Sequence, residues 1–289
     1  MVNNGLSMDS SASSLAARQK RVSTRARILI FAVAWLIVLM PIRFWRSTWF
    51  GRTLSDAELE QYLHDAAKPR HIQHALVQIG ERLSRNAAGM EKWTADLARL
   101  AASPVEEVRS TDAWVIGQAP PQPELHAALL LLLRDASITV RGNAALALIR
   151  YGDDTGHAEI MSMLRPIPVS APLGGAITQV AAPGEPIRAG TVLARIHSSS
   201  AAQDVRSPIT GTVAVLRVTR GQAVQPGEEL ALVNPGTDQV WEALRGLYFI
   251  GTAADLNEVK AYERAQPNIA DRVQQQARET ERAIRQRTD

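Results

Sequence analysis

Apolar and polar positions follow three different rhythms along this chain. From Ile28 to Ile42 the run ILIFAVAWLIVLMPI carries no charge and is closed by Arg27 and Arg43, which predicts one apolar helix. Fifteen residues of helix rise about 22 Å, short of the roughly 30 Å hydrocarbon core of a bilayer unless the two arginines snorkel and Phe44 and Trp45 lengthen the span. Trp49 and Phe50 extend the aromatic belt expected at an interface. A transmembrane anchor over residues 28–45 is the expectation, after a flexible basic tail at 1–27. A buried core helix and a cleaved signal peptide are the other readings of such a run. Arg18, Lys20, Arg21, Arg25 and Arg27 precede it, and Arg43, Arg46 and Arg52 follow it. The positive-inside rule then points to a single-pass inner-membrane protein with a cytoplasmic N-terminus and a periplasmic body.

Residues 54–165 take up a helical rhythm. Ile72, Ala75, Leu76, Ile79 and Leu83 have the spacing of one buried helix face, and LHAALLLLLRD at 125–135 reads as an apolar inner helix. Val108-Arg109, followed by Ala113, Ile116 and Gly117, returns 32 residues later as Val140-Arg141 followed by Ala145 and Leu148. A period of that length predicts stacked helical repeats. The rhythm resumes at 237–289 with Val240, Ala243, Leu244 and Leu247, a helix near Leu256–Tyr262, and a polar last helix suited to capping the stack.

Between the two helical blocks, residues 166–236 turn to Gly, Pro, Val and Thr in short alternating runs, which predicts short strands and tight turns. The segment repeats itself. Ala171-Pro172-Leu173-Gly174-Gly175-Ala176-Ile177 matches Ser207-Pro208-Ile209-Thr210-Gly211-Thr212-Val213 at an offset of 36, and the run from Gly184 to Leu193 matches that from Gly221 to Leu230 at 37. Two matching halves predict a pseudo-symmetric β fold.

Composition narrows the functions open to the chain. With 289 residues, 46% hydrophobic and 21% charged, it can bury a core of ordinary size. The absence of cysteine excludes disulfides, thiolate metal sites and a thiol nucleophile. Net charge is +3, but the basic tail supplies it, so the remainder lacks the clustered basic surface of a nucleic-acid binder.

The helical phrases resemble HEAT-like repeats of the short kind found in phycobilin lyases and in deoxyhypusine hydroxylase. That hydroxylase binds iron through His-Glu dipeptides, and no His is followed by Glu in this chain. A bilin lyase or isomerase is compatible with the resemblance, although no residue matches a chemical role. The β segment resembles the biotinyl/lipoyl domain, whose carriers present a lysine on the hairpin between the halves. Alignment on Gly211 puts that position at Ser200, and no lysine occurs from 166 to 236, so no amide to biotin or lipoate can form. The same lysine-free module is similar to that of membrane-fusion adaptor proteins, in which a long helical hairpin separates the halves. Here only His197–Asp204 joins them.

Single residues offer weaker chemistry. His71 and His74 share a predicted helix face near His64 and Asp65, but a further ligand at fixed spacing is missing. Asp153-Asp154 reads as a turn that caps the following helix. His197 with Ser198, Ser199 and Ser200 lacks the acid and oxyanion donors of acyl transfer. No catalytic residue, cofactor or metal site is expected.

The expected fold class is α+β and multidomain: a transmembrane helix, an α-solenoid of HEAT-like repeats and a small all-β barrel-sandwich hybrid. The expected function is a membrane-anchored, non-enzymatic scaffold or adaptor for protein partners, among them an inner-membrane transporter or envelope complex. The alternative is a reduced periplasmic adaptor subunit of an efflux or secretion system.

Overall fold

A computed structural model describes Trp35 and residues 52–85, 89–198, 201–264 and 269–288. Contacts divide the chain into Met1–Thr53 and one compact unit, Leu54–Asp289. The second unit opens with α1 (Asp56–Leu63) and α2 (Pro69–Ser84). A 3-10 turn leads into α3 (Thr94–Leu100), followed by α4 (Glu106–Ile116), α5 (Pro123–Leu132), α6 (Ile138–Arg150) and α7 (His157–Ser162). Eight strands follow, then α8 (Thr237–Ile250), α9 (Leu256–Ala261) and α10 (Asp271–Thr288).

Local chemistry sets several helix ends. Ser55 and Glu58 form a capping box at α1, with the Ser55 N–H donating to Glu58 Oε2 at 2.9 Å. Pro69 and Pro123 sit in the first turns of α2 and α5, where a missing N–H costs nothing. At the far end, Arg287 donates to the carbonyls of Leu247, Tyr248 and Gly251, closing the C-terminus of α8.

The helices form two layers. In one, α2 packs on α4, α4 on α6, α6 on α8 and α8 on α10, while α1, α3, α5, α7 and α9 each cover a partner in that row. The stripe Val108, Asp112, Val115 of α4 recurs as Val140, Ala144, Ala147 in α6, all buried. Arg109 donates to the Ser103 carbonyl at 2.8 Å, and Arg141 does the same to the Asp135 carbonyl at 2.8 Å. The 32-residue phrase is thus one repeated turn chemistry.

The strands are β1 (Ile167–Ser170), β2 (Gly175–Val180), β3 (Pro186–Ile187), β4 (Val192–His197), β5 (Ala202–Arg206), β6 (Gly211–Leu216), β7 (Ala223–Val224) and β8 (Glu229–Pro235). They build two antiparallel sheets in the orders β1-β8-β6-β3 and β5-β4-β2-β7. Exchanging each strand with the one four places away converts one sheet into the other, which is the sequence repeat expressed as topology. The irregularity of β2 between Ile177 and Gln179 recurs in β6 between Val213 and Val215. Gly190 and Gly227 turn with φ of 84° and 83°, a conformation that favours glycine. Ile177, Ile196, Val213 and Val233, from both sheets, share one buried cluster.

This architecture corrects the expected fold class and location. The sheets do not close into a barrel: β3 and β7, at one end of each, are two residues long, too short to pair on both sides along the sheet. Leu54–Asp289 forms one compact unit of mixed helix and sheet. Among the described residues no helix is long and apolar enough to cross a membrane; apolar α5 has 10 residues, and 18-residue α10 is mostly polar. The transmembrane helix, the single-pass inner-membrane location and the periplasmic body are therefore unsupported. Apart from Trp35, the segment 28–45 on which they rested lies outside the described residues.

Candidate functional site

The β module leaves the helical stack after α7 and returns at α8, and the structure clasps that junction. Arg165, just before β1, donates its Nε and an Nη to the two carboxylate oxygens of Glu258 at 2.6 and 2.8 Å. This fork geometry raises the Arg165 pKa, with Glu258 the main cause. The Tyr262 hydroxyl donates to the Leu164 carbonyl, and burial pushes that phenol up to about 12. Gln239 donates to the Met163 carbonyl at 3.1 Å. On the module side, Ile138 of α6 packs against the strand core.

Two cavities flank this junction. One, of about 490 Å³, has an apolar wall that includes Ile138, Leu146, Met163, Ile167 and Ile209. Its polar lining includes Arg141 and Glu159, paired at 3.0 Å, with Asp238 and Glu242 of α8. Gly142 admits the Met163 sulfur, which would lie 3.3 Å from a Cβ there. The second, of about 820 Å³, is lined by Arg188, Thr210, Thr212, Asn234 and Tyr262 among others. Their sizes suit a side-chain cluster or a small ligand.

The histidines expected on one helix face have separate partners. His71 Nδ1 lies 2.7 Å from Asp65, and its ring stacks on Tyr62 at 4.3 Å. His64 Nδ1 meets the Glu60 carbonyl at 2.9 Å, and His74 Nε2 meets Gln78 at 2.8 Å. Among the described residues no group of three His, Asp or Glu could hold a metal ion. Asp153 caps its turn by accepting from the Thr155 N–H at 2.7 Å. The Thr155 hydroxyl first, then its N–H and His126, hold that carboxyl below the usual range.

His197 ends β4, opposite Ala202, and is exposed. The Ser198 N–H donates to the Ala201 carbonyl at 2.9 Å, which tightens the hairpin. Ser199 and Ser200 lie outside the described residues. Asp204, the nearest acid along the chain, is held by Arg195 and Arg206 at 2.6 and 2.7 Å, so it does not serve His197.

Three features escaped the sequence reading. His126 Nε2 lies 2.6 Å from Asp153, and His157 Nε2 lies 2.8 Å from Asp255. Burial pushes the Asp255 carboxyl up, but the Thr252 N–H and His157 outweigh it, and the net shift is downward. Among the described residues no hydroxyl is bonded to the other ring nitrogen of either histidine, so neither pair forms a nucleophile, base and acid set. The third is Asp112, fully buried, with neither carboxylate oxygen bonded. Its place four residues after Val108, within an apolar stripe, was the signal available.

No protein-family model matches the chain, and no curated protein matches it. Among solved structures it is similar to a single-chain, multi-domain long-chain acyl-CoA carboxylase, at 18% identity and a TM-score of 0.24. That match covers 48% of this chain and 12% of the carboxylase. A likeness of that size assigns neither activity nor fold.

Proposed function

We propose that this chain is a non-enzymatic adaptor that engages protein partners at two places, exposed apolar side chains of its HEAT-like helical stack and its lipoyl-like β module. The observation that supports this reading is the lysine-free module inserted between α7 and α8 while those helices still pack together. A carrier needs an amine at the hairpin, and residues 166–236 have none. The module's remaining asset is its surface. On the helical side, Trp114, Leu131 and Phe249 are 41%, 55% and 64% exposed. Large apolar side chains left in water are candidate anchors for a partner.

Photo-crosslinking in cells, from p-benzoylphenylalanine placed at Trp114, at Phe249 and at Gln203 of β5, tests the reading. Discrete crosslinked protein species are expected from the helical positions and from the module. No discrete species at any of the three, or a small molecule retained by the purified chain in place of a protein, overturns it.

A further inference from the structure

The deepest anomaly in the helical stack is Asp112. It sits on α4, which packs against α2, α3, α5 and α6, and it is 0% exposed with both oxygens unbonded. One 32-residue period further on, the matching position in α6 holds Ala144, which is buried. A carboxylate cannot be buried there without a partner, because the lost hydration is not replaced.

The charged groups on the surrounding elements are committed elsewhere. On α2, Arg82 is bonded to Asp56 and the Leu54 carbonyl, His71 to Asp65 and His74 to Gln78, while Arg70 and Glu81 are exposed. On α3, Arg99 donates to Asp96 and the Leu63 carbonyl at 2.8 and 3.2 Å. On α5, His126 meets Asp153, and Glu124 is exposed. On α6, Arg141 holds Glu159, and Arg150 reaches the Gly117 carbonyl at 3.4 Å. On α4 itself, Arg109 is bonded to Asp135, and Glu106 and Glu107 are exposed.

We infer that Asp112 is a pH-sensitive weak point built into the stack: as a neutral acid it completes the packing of α4, and once ionised it opens that packing. Burial drives its pKa well above the ordinary carboxylate value, with only the field of Arg99 opposing. An acid whose folded pKa is raised contributes stability that is fully present below its unfolded pKa. That stability is lost as pH rises toward the folded value. The opening would alter the face that carries Trp114, two residues along the same helix.

Urea unfolding of the full chain at pH 5, 7 and 9, followed by far-ultraviolet circular dichroism, tests the inference with D112A and D112N. Within the titration window, the wild-type unfolding constant should rise relative to either variant by up to about tenfold per pH unit. D112N keeps the size and removes the charge, so it serves if D112A does not fold. A ratio that stays constant from pH 5 to pH 9 overturns the inference. Hydrogen exchange of the wild type, corrected for intrinsic rates, gives an independent reading. Protection should fall with pH in α2, α4 and α6 before it falls in the β strands, and a uniform loss overturns the local opening.

Discussion

His157 and Asp255 stand 98 positions apart, yet they make at 2.8 Å the contact that His126 and Asp153 make at 2.6 Å across 27. The difference between the two spans, 71 residues, is the length of segment 166–236. A third rung precedes them, Thr94 to Gln122 at 2.9 Å across 28 positions. The rungs link each covering helix to the turn before the next one. The module therefore enters between the two helices of one repeat, and the ladder closes beneath it as though nothing intervened.

Replacing 166–236 by a short Gly-Ser linker should accordingly leave a folded helical stack. The expected outcome is a helical circular dichroism spectrum with a single cooperative thermal transition, at lower temperature because the contact of Ile138 with the module is lost. A broad, non-cooperative melt would show that the module is required for the stack to form.

Asp255 should be the more sensitive member of its pair. It is 4% exposed, and it accepts from the Thr252 N–H at 2.7 Å as well as from His157. Replacement by Ala strands that amide and the imidazole, at a cost of about 1–3 kcal/mol. Because the folded pKa of Asp255 is lowered, its contribution is present above the unfolded carboxylate value and disappears as pH falls through the folded one. Denaturant titrations at neutral and acid pH should thus show the wild type and Asp255→Ala converging only toward low pH.

The Arg165 clasp should matter much less. Its guanidinium side chain is 60% exposed, and exposed ion pairs contribute about 0.2–1 kcal/mol after screening by water and salt. Arg165→Ala should shift the urea midpoint only slightly, and high salt should erase the difference. A large, salt-independent loss would mean that Arg165 acts through packing at Pro166 rather than through Glu258.

Much of this was legible in the sequence, for identifiable reasons. The offsets of 36 and 37 marked two strand sets because Gly and Pro punctuate them, and Val108-Arg109 with Val140-Arg141 marked the helical period because both arginines fasten the same turn. Which helices meet across the module was not legible, since α7 has six residues, too few for a periodic stripe. Barrel closure was overestimated because sequence alternation does not reveal that β3 and β7 are two residues long. Asp112 was passed over because the stripe around it reads as core, and its cost appears only once both oxygens are found without partners.

The pseudo-symmetry of the module makes one further prediction, resting on two glycines 36 positions apart. A Cβ at Gly211 would lie 1.8 Å from the Asn234 carbonyl oxygen, and one at Gly175 would lie 2.5 Å from the His197 carbonyl oxygen. In each case the obstacle is backbone of the strand that pairs alongside, β8 for Gly211 and β4 for Gly175, so no side-chain rotation relieves it. Gly211→Ala should cost about 3 kcal/mol, the upper part of the range for overpacking, and Gly175→Ala somewhat less, because its clash is shallower and lies beside the β4–β5 hairpin end. Urea unfolding of the two variants provides the ranking. If Gly175→Ala were the more damaging, clash depth would not set the cost, and the backbone of Gly175, at a φ of 159°, would be the larger source of strain.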